Sequence, residues 1–150
     1  VQKDRLECEV VAWGPGFESW AMDYRAIHGD PSQPTVWREL DEFLQQGWQH
    51  ENGHVLHPAS VFVDSGYLTD HVYRFCKRRN ARRVYATKGM STSGRAIATR
   101  SKRIDPQGGT LFVIGTDTAK DCLYSYMQVK DPGPGYCHFR ADLHDERYFE

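Results

Sequence analysis

"SVFVDSGYLTD", residues 60–70, decides how the chain is read. Ser60 to Val63 reads as a short apolar strand, and Asp64 follows it directly. Ser65 and Gly66 interrupt the run. Leu68, Val72, Phe75 and Cys76 then recur at helical spacing, so a helix is expected over residues 67–79. A strand passing straight into a helix suggests an α/β sheet, and open α/β sheets bind ligands at the carboxyl ends of their strands. A carboxylate there can cap the helix, through Asp64 or Ser65, by accepting from its first N–H groups. It can equally offer oxygen to Mg2+ or Mn2+. Spacing alone leaves both readings open.

Downstream, "RRVYAT" at 82–87 is a second strand, and Lys88 follows it at what should be the same sheet edge as Asp64. A lysine there can contact a phosphate or stabilise developing charge; it can also be merely solvated. Residues 88–96, "KGMSTSGRA", form a small-residue loop that nearly spells a P-loop. Arg95 and Ala96 stand where Lys and Ser or Thr are required, so ATP binding through this motif is rejected. An extended excursion broken at 105–109 leads to a strand at 110–115. A third helix follows, with Ala119, Cys122, Leu123, Tyr126 and Met127 on one face and Thr118 and Asp121 as a capping pair. At its start Thr116, Asp117, Thr118 and Lys120 suit a phosphate or a plain cap.

Upstream, residues 5–13 alternate as a strand, 14–16 turn, and 18–27 alternate again to complete a hairpin. After a breaker-rich loop at 28–34, Thr35 can cap a helix whose face is Val36, Trp37, Leu40, Phe43 and Leu44, with Gly47 ending it. His50, His54 and His57 flank a turn at "ENG". They read as surface residues more readily than as a zinc site. A turn at 131–135, a last short strand "YCHF" and a polar tail complete the order. Hairpin, helix, strand, helix, strand, helix describes a mixed α/β sheet with helices on its faces.

The length of 150 residues suits one domain. There is no apolar run near 18 residues and no basic-then-apolar leader, so neither a membrane span nor a secretory signal is expected. Cys8, Cys76, Cys122 and Cys137 lack a C-x-x-C pair, which favours reduced thiols over a zinc site. A net charge of −1 conceals an asymmetry: 11 of the 19 Lys and Arg residues lie between Arg74 and Arg103, a stretch without one Asp or Glu. A solvated face mixes signs, whereas a block of one sign marks a polyanion partner. The candidate contacts are Arg79, Arg82, Arg83, Lys88, Arg95, Arg100, Lys102 and Arg103, with Lys120 beyond them.

The stretches "VQKDRLECEVVAWGPGFESW", "VFVDSG", "VYATKG", "IGTDTAK" and "PGPGYCHF" stand in the order found in one family. In them the chain resembles the nuclease domain of the terminase large subunit of lambda-type tailed bacteriophages, the Gp A family. The likeness spans nearly all of the chain. It implies a phage or prophage source, an RNase H-like fold, and cutting of concatemeric DNA during genome packaging in the cytoplasm of the bacterial host. It further implies two-metal hydrolysis with Mg2+ or Mn2+, the ions held ~4 Å apart by acidic residues. Asp64 matches the family's metal-binding acid at its fourth strand, with Lys88 beside it and the basic stretch holding the DNA backbone. Double-stranded DNA, the small terminase subunit and the portal or prohead are the implied partners of the full protein.

The family's first, central strand with its catalytic Asp precedes the position matching Val1, and a later acid lies past Glu150. The chain is therefore expected to be a fragment of a larger terminase subunit with one of three core acids, weakly active or inactive by itself. Asp4, Asp23, Asp30 and Asp117 are weaker substitutes. Strands left without partners invite self-association. Two other readings remain: a DNA-binding or capsid-docking module that does not cut, and a nucleotide binder built on "VDSG", which lacks a glycine-rich fingerprint.

Overall fold

The computed structural model describes residues 1–101 and 106–142. The chain forms two compact units. Of the described residues, the first comprises 1–6, 27–101 and 106–119, the second 7–26 and 120–142.

β1 (Arg5–Trp13) and β2 (Ser19–His28) form the expected hairpin, turning through a short 3-10 segment at Pro15–Phe17. The base of the hairpin belongs to the first unit. There Leu6 and Ile27 are buried, and the Gly29 N–H donates to the Asp4 carbonyl.

α1 (Pro34–Leu44) begins one residue before the expected Thr35 cap. Gln33 is its N-cap and Pro34 its first helical residue, where the missing N–H costs nothing and the fixed φ suits the helix. Val36, Trp37, Leu40 and Phe43 are buried as the spacing required. The helix stops at Leu44, three residues before Gly47. Gly47 serves a close approach: a Cβ there would overlap Val55 of the following hairpin. That hairpin pairs β3 (Trp48–Gln49) with β4 (Val55–Leu56) in antiparallel fashion.

β5 (Val61–Asp64), β6 (Val84–Met90) and β8 (Leu111–Gly115) run parallel, and β7 (Ala98–Arg100) returns antiparallel to β8, giving the order β5-β6-β8-β7. β6 reaches three residues further than the sequence suggested, because Lys88, Gly89 and Met90 continue the ladder with β8. α2 (Thr69–Arg78) packs on β5 and β6 with Val72, Tyr73, Phe75 and Cys76 buried. Trp37 meets Phe75 at 5.0 Å between ring centres, which joins α1 to α2. On this face Val63, Val84 and Ala86 are buried, and successive strand residues point to opposite faces.

One carboxylate also joins the two helices. Asp41 of α1 accepts from Arg79 Nε at 2.6 Å and Nη2 at 2.9 Å, and from Arg82 Nη1 at 2.7 Å. The Arg79 guanidinium lies 4.0 Å over the Phe75 ring.

The second unit contains the arms of the hairpin and β9 (Cys137–His138), which adds to β2 in parallel register. His138 stacks on Trp20 at 5.0 Å, touches Tyr136 edge-on at 4.6 Å, and hydrogen-bonds Glu18 at 2.7 Å. The "PGPGYCHF" stretch is thus a packing motif of this unit. α3 (Thr116–Met127) leads from the first unit into the second. It starts two residues before the expected Thr118 cap, so Thr118 and Asp121 lie inside it and form no capping pair. The apolar face expected on it is partly covered: Ala119, Cys122 and Tyr126 are half-buried, Tyr126 stacking on Phe17 at 6.4 Å, while Leu123 and Met127 are exposed. Among the described residues no helix is long and apolar enough to cross a membrane.

Candidate functional site

The carboxyl edge of β5, β6 and β8 carries the candidate site. Asp64 is the last residue of β5, paired in register with Thr87. It is exposed, and among the described residues no hydrogen bond or ion pair engages its carboxylate. The cap reading fails on geometry. The N-cap of α2 is Leu68, four residues on, and among the described residues no side-chain capping bond forms there.

The turn that aims Asp64 is fixed by its neighbour. Ser65 is buried, and its N–H and hydroxyl both donate to the Thr87 carbonyl, at 2.9 and 2.6 Å. Thr69 Oγ1 donates back to the Ser65 carbonyl at 2.8 Å. Gly66 leaves room for the carboxylate, since a Cβ there would lie 3.0 Å from Asp64 Oδ2. Leu68 sits in the left-handed region at φ 49°, a strained state for a side chain with a Cβ. The Ser65 bonds hold this turn against that strain. Ser65→Ala is expected to cost about 1 kcal/mol, the net worth of one hydrogen bond, because the Thr87 carbonyl keeps the N–H donor. Urea denaturation measures it, and a loss near zero would show that the hydroxyl bond does not secure the turn.

Lys88 stands one residue past Thr87 on β6, paired with Val113, and is exposed. It shares the edge with Asp64 as expected, but strand alternation sends its side chain to the opposite face. Beyond β6, Ser91 Oγ and Thr116 Oγ1 lie 3.0 Å apart, tying the loop to the start of α3. Asp117 is exposed in the first turn of α3. It follows β8, two strands from Asp64, a spacing of about 10 Å that is too wide for one shared ion.

The other acids have local partners. Asp4 pairs with Arg5 at 2.9 Å. Asp30 accepts from the Ser32 N–H and hydroxyl, both at 2.8 Å, and the backbone N–H bond in particular holds its carboxyl below the usual range. Among the described residues no group of three or more His, Cys, Asp or Glu could hold a metal ion, the histidines of residues 50–57 included. All four cysteines are free, and burial pushes the Cys8 thiol up to about 11, which keeps it protonated at neutral pH.

The basic stretch divides. Arg79 is engaged by Asp41 and by the carbonyl and ring of Phe75. Its neighbour Arg82 shares Asp41 but is 41% exposed, so part of its guanidinium remains open. Arg83 and Arg100 are exposed; Arg95 is half-buried, with its Nε enclosed. Lys102 and Arg103 lie outside the described residues. Lys120 is exposed but belongs to the second unit. The cations the candidate set omitted are Arg74, Lys77 and Arg78, all exposed on α2. Their i, i+3, i+4 spacing opposite Val72, Phe75 and Cys76 was the available signal.

The family model described as the terminase large subunit gpA endonuclease domain matches residues 1–150. The terminase large subunit of Escherichia phage lambda is 32% identical over 143 residues, 92% of this chain and 22% of that protein. That of Enterobacteria phage P21 is 32% identical over 134 residues, 89% of this chain and 21% of that protein. The chain thus spans about a fifth of the length of these relatives. No solved structure matches it. The chain belongs to the endonuclease-domain family of the terminase large subunit gpA.

Proposed function

We propose that this chain is the DNA-cutting part of a phage terminase, a metal-dependent endonuclease that cleaves concatemeric phage DNA during packaging. Asp64 carries the reading: an exposed carboxylate, unpartnered among the described residues, at the carboxyl end of a parallel strand, in a chain matched throughout by an endonuclease family. Mg2+ and similar ions are held by one or two carboxylates, with water and substrate phosphates filling the remaining positions. Asp64 fits as one such ligand. Bound ions would supply an activated water and stabilise the leaving oxygen. Asp64 fixes where that charge sits, and the Ser65 turn holds it there. Lys88 meets a phosphate from the other face of the edge.

Exposed Arg74, Lys77, Arg78 and Arg83, with Arg82, Arg95, Arg100 and Lys120, bind the DNA backbone. Contacts of this kind position DNA without reading its sequence. The fold is RNase H-like, with a further strand on the outer edge of β5; among the described residues β5 has β6 on one side only. Left open, that edge supports self-association. The small terminase subunit and portal are partners of the longer protein, in the host cytoplasm.

A second reading, DNA binding without cleavage, is favoured by Asp64 belonging to no group of three or more potential metal ligands among the described residues. Nicking of supercoiled plasmid separates the two. A chimera with this chain in place of the matching region of the lambda large subunit is expected to nick with Mn2+ and not with EDTA. The chain alone is expected to nick weakly or not at all. Salt-sensitive DNA binding by the chimera without any metal-dependent nicking would establish the second reading instead.

A further inference from the structure

The four-stranded sheet has two unlike faces. α2 occupies the face of Val63, Val84 and Ala86. On the other, register places Phe62 beside Tyr85 and Phe112 beside Thr87 and Arg100. Phe62, Tyr85 and Phe112 form a three-ring cluster with centre separations of 6.0, 5.4 and 5.2 Å. Phe62 is nonetheless 52% exposed.

Parallel strands are stable almost only when both faces are covered, and their sequences then read as unbroken apolar runs. "VFV" in β5 and "LFVI" in β8 are such runs. The pattern therefore demands a cover on the aromatic face as well.

Charge and ring geometry choose among covers. A polyanion lying over the rings would need several cations, yet Arg100, on the edge strand β7, is the basic residue on this face among the described strand residues. The cations of α2 lie on the other side of the sheet. The rings meet at interplanar angles of 44°, 89° and 52°, the interlocked geometry of a protein core and not a row of flat faces for bases. The relatives have the polypeptide to spare, since the matched region is 22% and 21% of their length.

We propose that the Phe62–Tyr85–Phe112 face docks an amphipathic helix supplied by terminase polypeptide outside these 150 residues. Its apolar stripe recurs at i, i+3, i+4 and i+7 over the rings. The inference rests on family membership and the sheet, not on the cleavage reading.

Hydroxyl-radical footprinting with peptide mass spectrometry tests it on unmodified side chains. Oxidation rates of Phe62 and Tyr85 are compared between the chain alone and the lambda chimera, with exposed Tyr67 as the internal reference. The expected result is at least about fivefold slower oxidation of Phe62 in the chimera, independent of protein concentration and of DNA. Equal rates would overturn the proposal. Protection that grows with concentration in the chain alone would assign the face to a second copy. Protection that needs added single-stranded oligonucleotide would assign it to nucleic acid. Cleavage is not part of the readout, so the nuclease reading and this one fail separately.

Discussion

Asp64→Ala in the lambda chimera is expected to lower Mn2+-dependent nicking by about a thousandfold, the several kcal/mol that a bound metal contributes to a transition state. Stability is expected to stay within about 0.5 kcal/mol, the usual range for a surface change without structural partners. The split between the two readouts is the point. Asp64 is exposed, and among the described residues no side-chain bond caps α2, so its removal breaks no bond among them that holds the fold. Asp64→Asn keeps shape and polarity but loses the charge that a divalent ion needs, and should fall almost as far. Nicking that survives in both variants would remove Asp64 from the site. A stability loss near 1 kcal/mol with full activity would instead make Asp64 a structural residue of the β5–α2 turn.

Asp41→Ala is expected to produce the largest stability loss, about 2 kcal/mol at pH 7. That figure lies between the measured worth of exposed pairs and of fully buried ones. The intermediate value follows from exposure: the Arg79 and Asp41 side chains retain 19% and 22% of theirs. Removing the carboxylate strands the Arg79 charge over the Phe75 ring and unties α1 from the end of α2. The pH dependence has a definite sign. The Arg79 hydrogen bonds, reinforced by Arg82, hold the Asp41 carboxyl below its ordinary value, against a smaller opposing effect of burial. Its contribution is therefore full above the unfolded value of about 3.9 and is lost as the pH falls through the lower folded value. Urea midpoints should show the wild-type advantage at pH 7 shrinking steadily below pH ~4. An advantage that is the same at pH 7 and in acid would mean that ionisation of Asp41 does not drive it.

Local chemistry alone determined much of this protein. Alternation in residues 5–13 and the apolar spacing of Val36, Trp37, Leu40 and Phe43 located the hairpin and α1, because strand and helix periods are set by the backbone itself. The run into Asp64 located the candidate site for the same reason: a parallel strand delivers its last residue to the ligand-binding edge. Boundaries were less legible. Pro34 competed with Thr35 for the helix start, and Lys88 to Met90, which look like loop residues, were drawn into β6 by hydrogen bonds to β8.

Roles were decided by tertiary contacts. Nothing in "KRRN" separates Arg79 from its neighbours, yet an aspartate 38 residues earlier engages it and leaves Lys77 and Arg78 exposed. Spacing could not choose between cap and ligand for Asp64. The left-handed turn at Leu68 removes the cap alone, by starting α2 beyond the reach of the Asp64 carboxylate. Sequence period states which residues share a face, but which face finds a partner depends on segments distant in the chain. That is why α2 covers Val63 while Phe62, one residue before it, stays open.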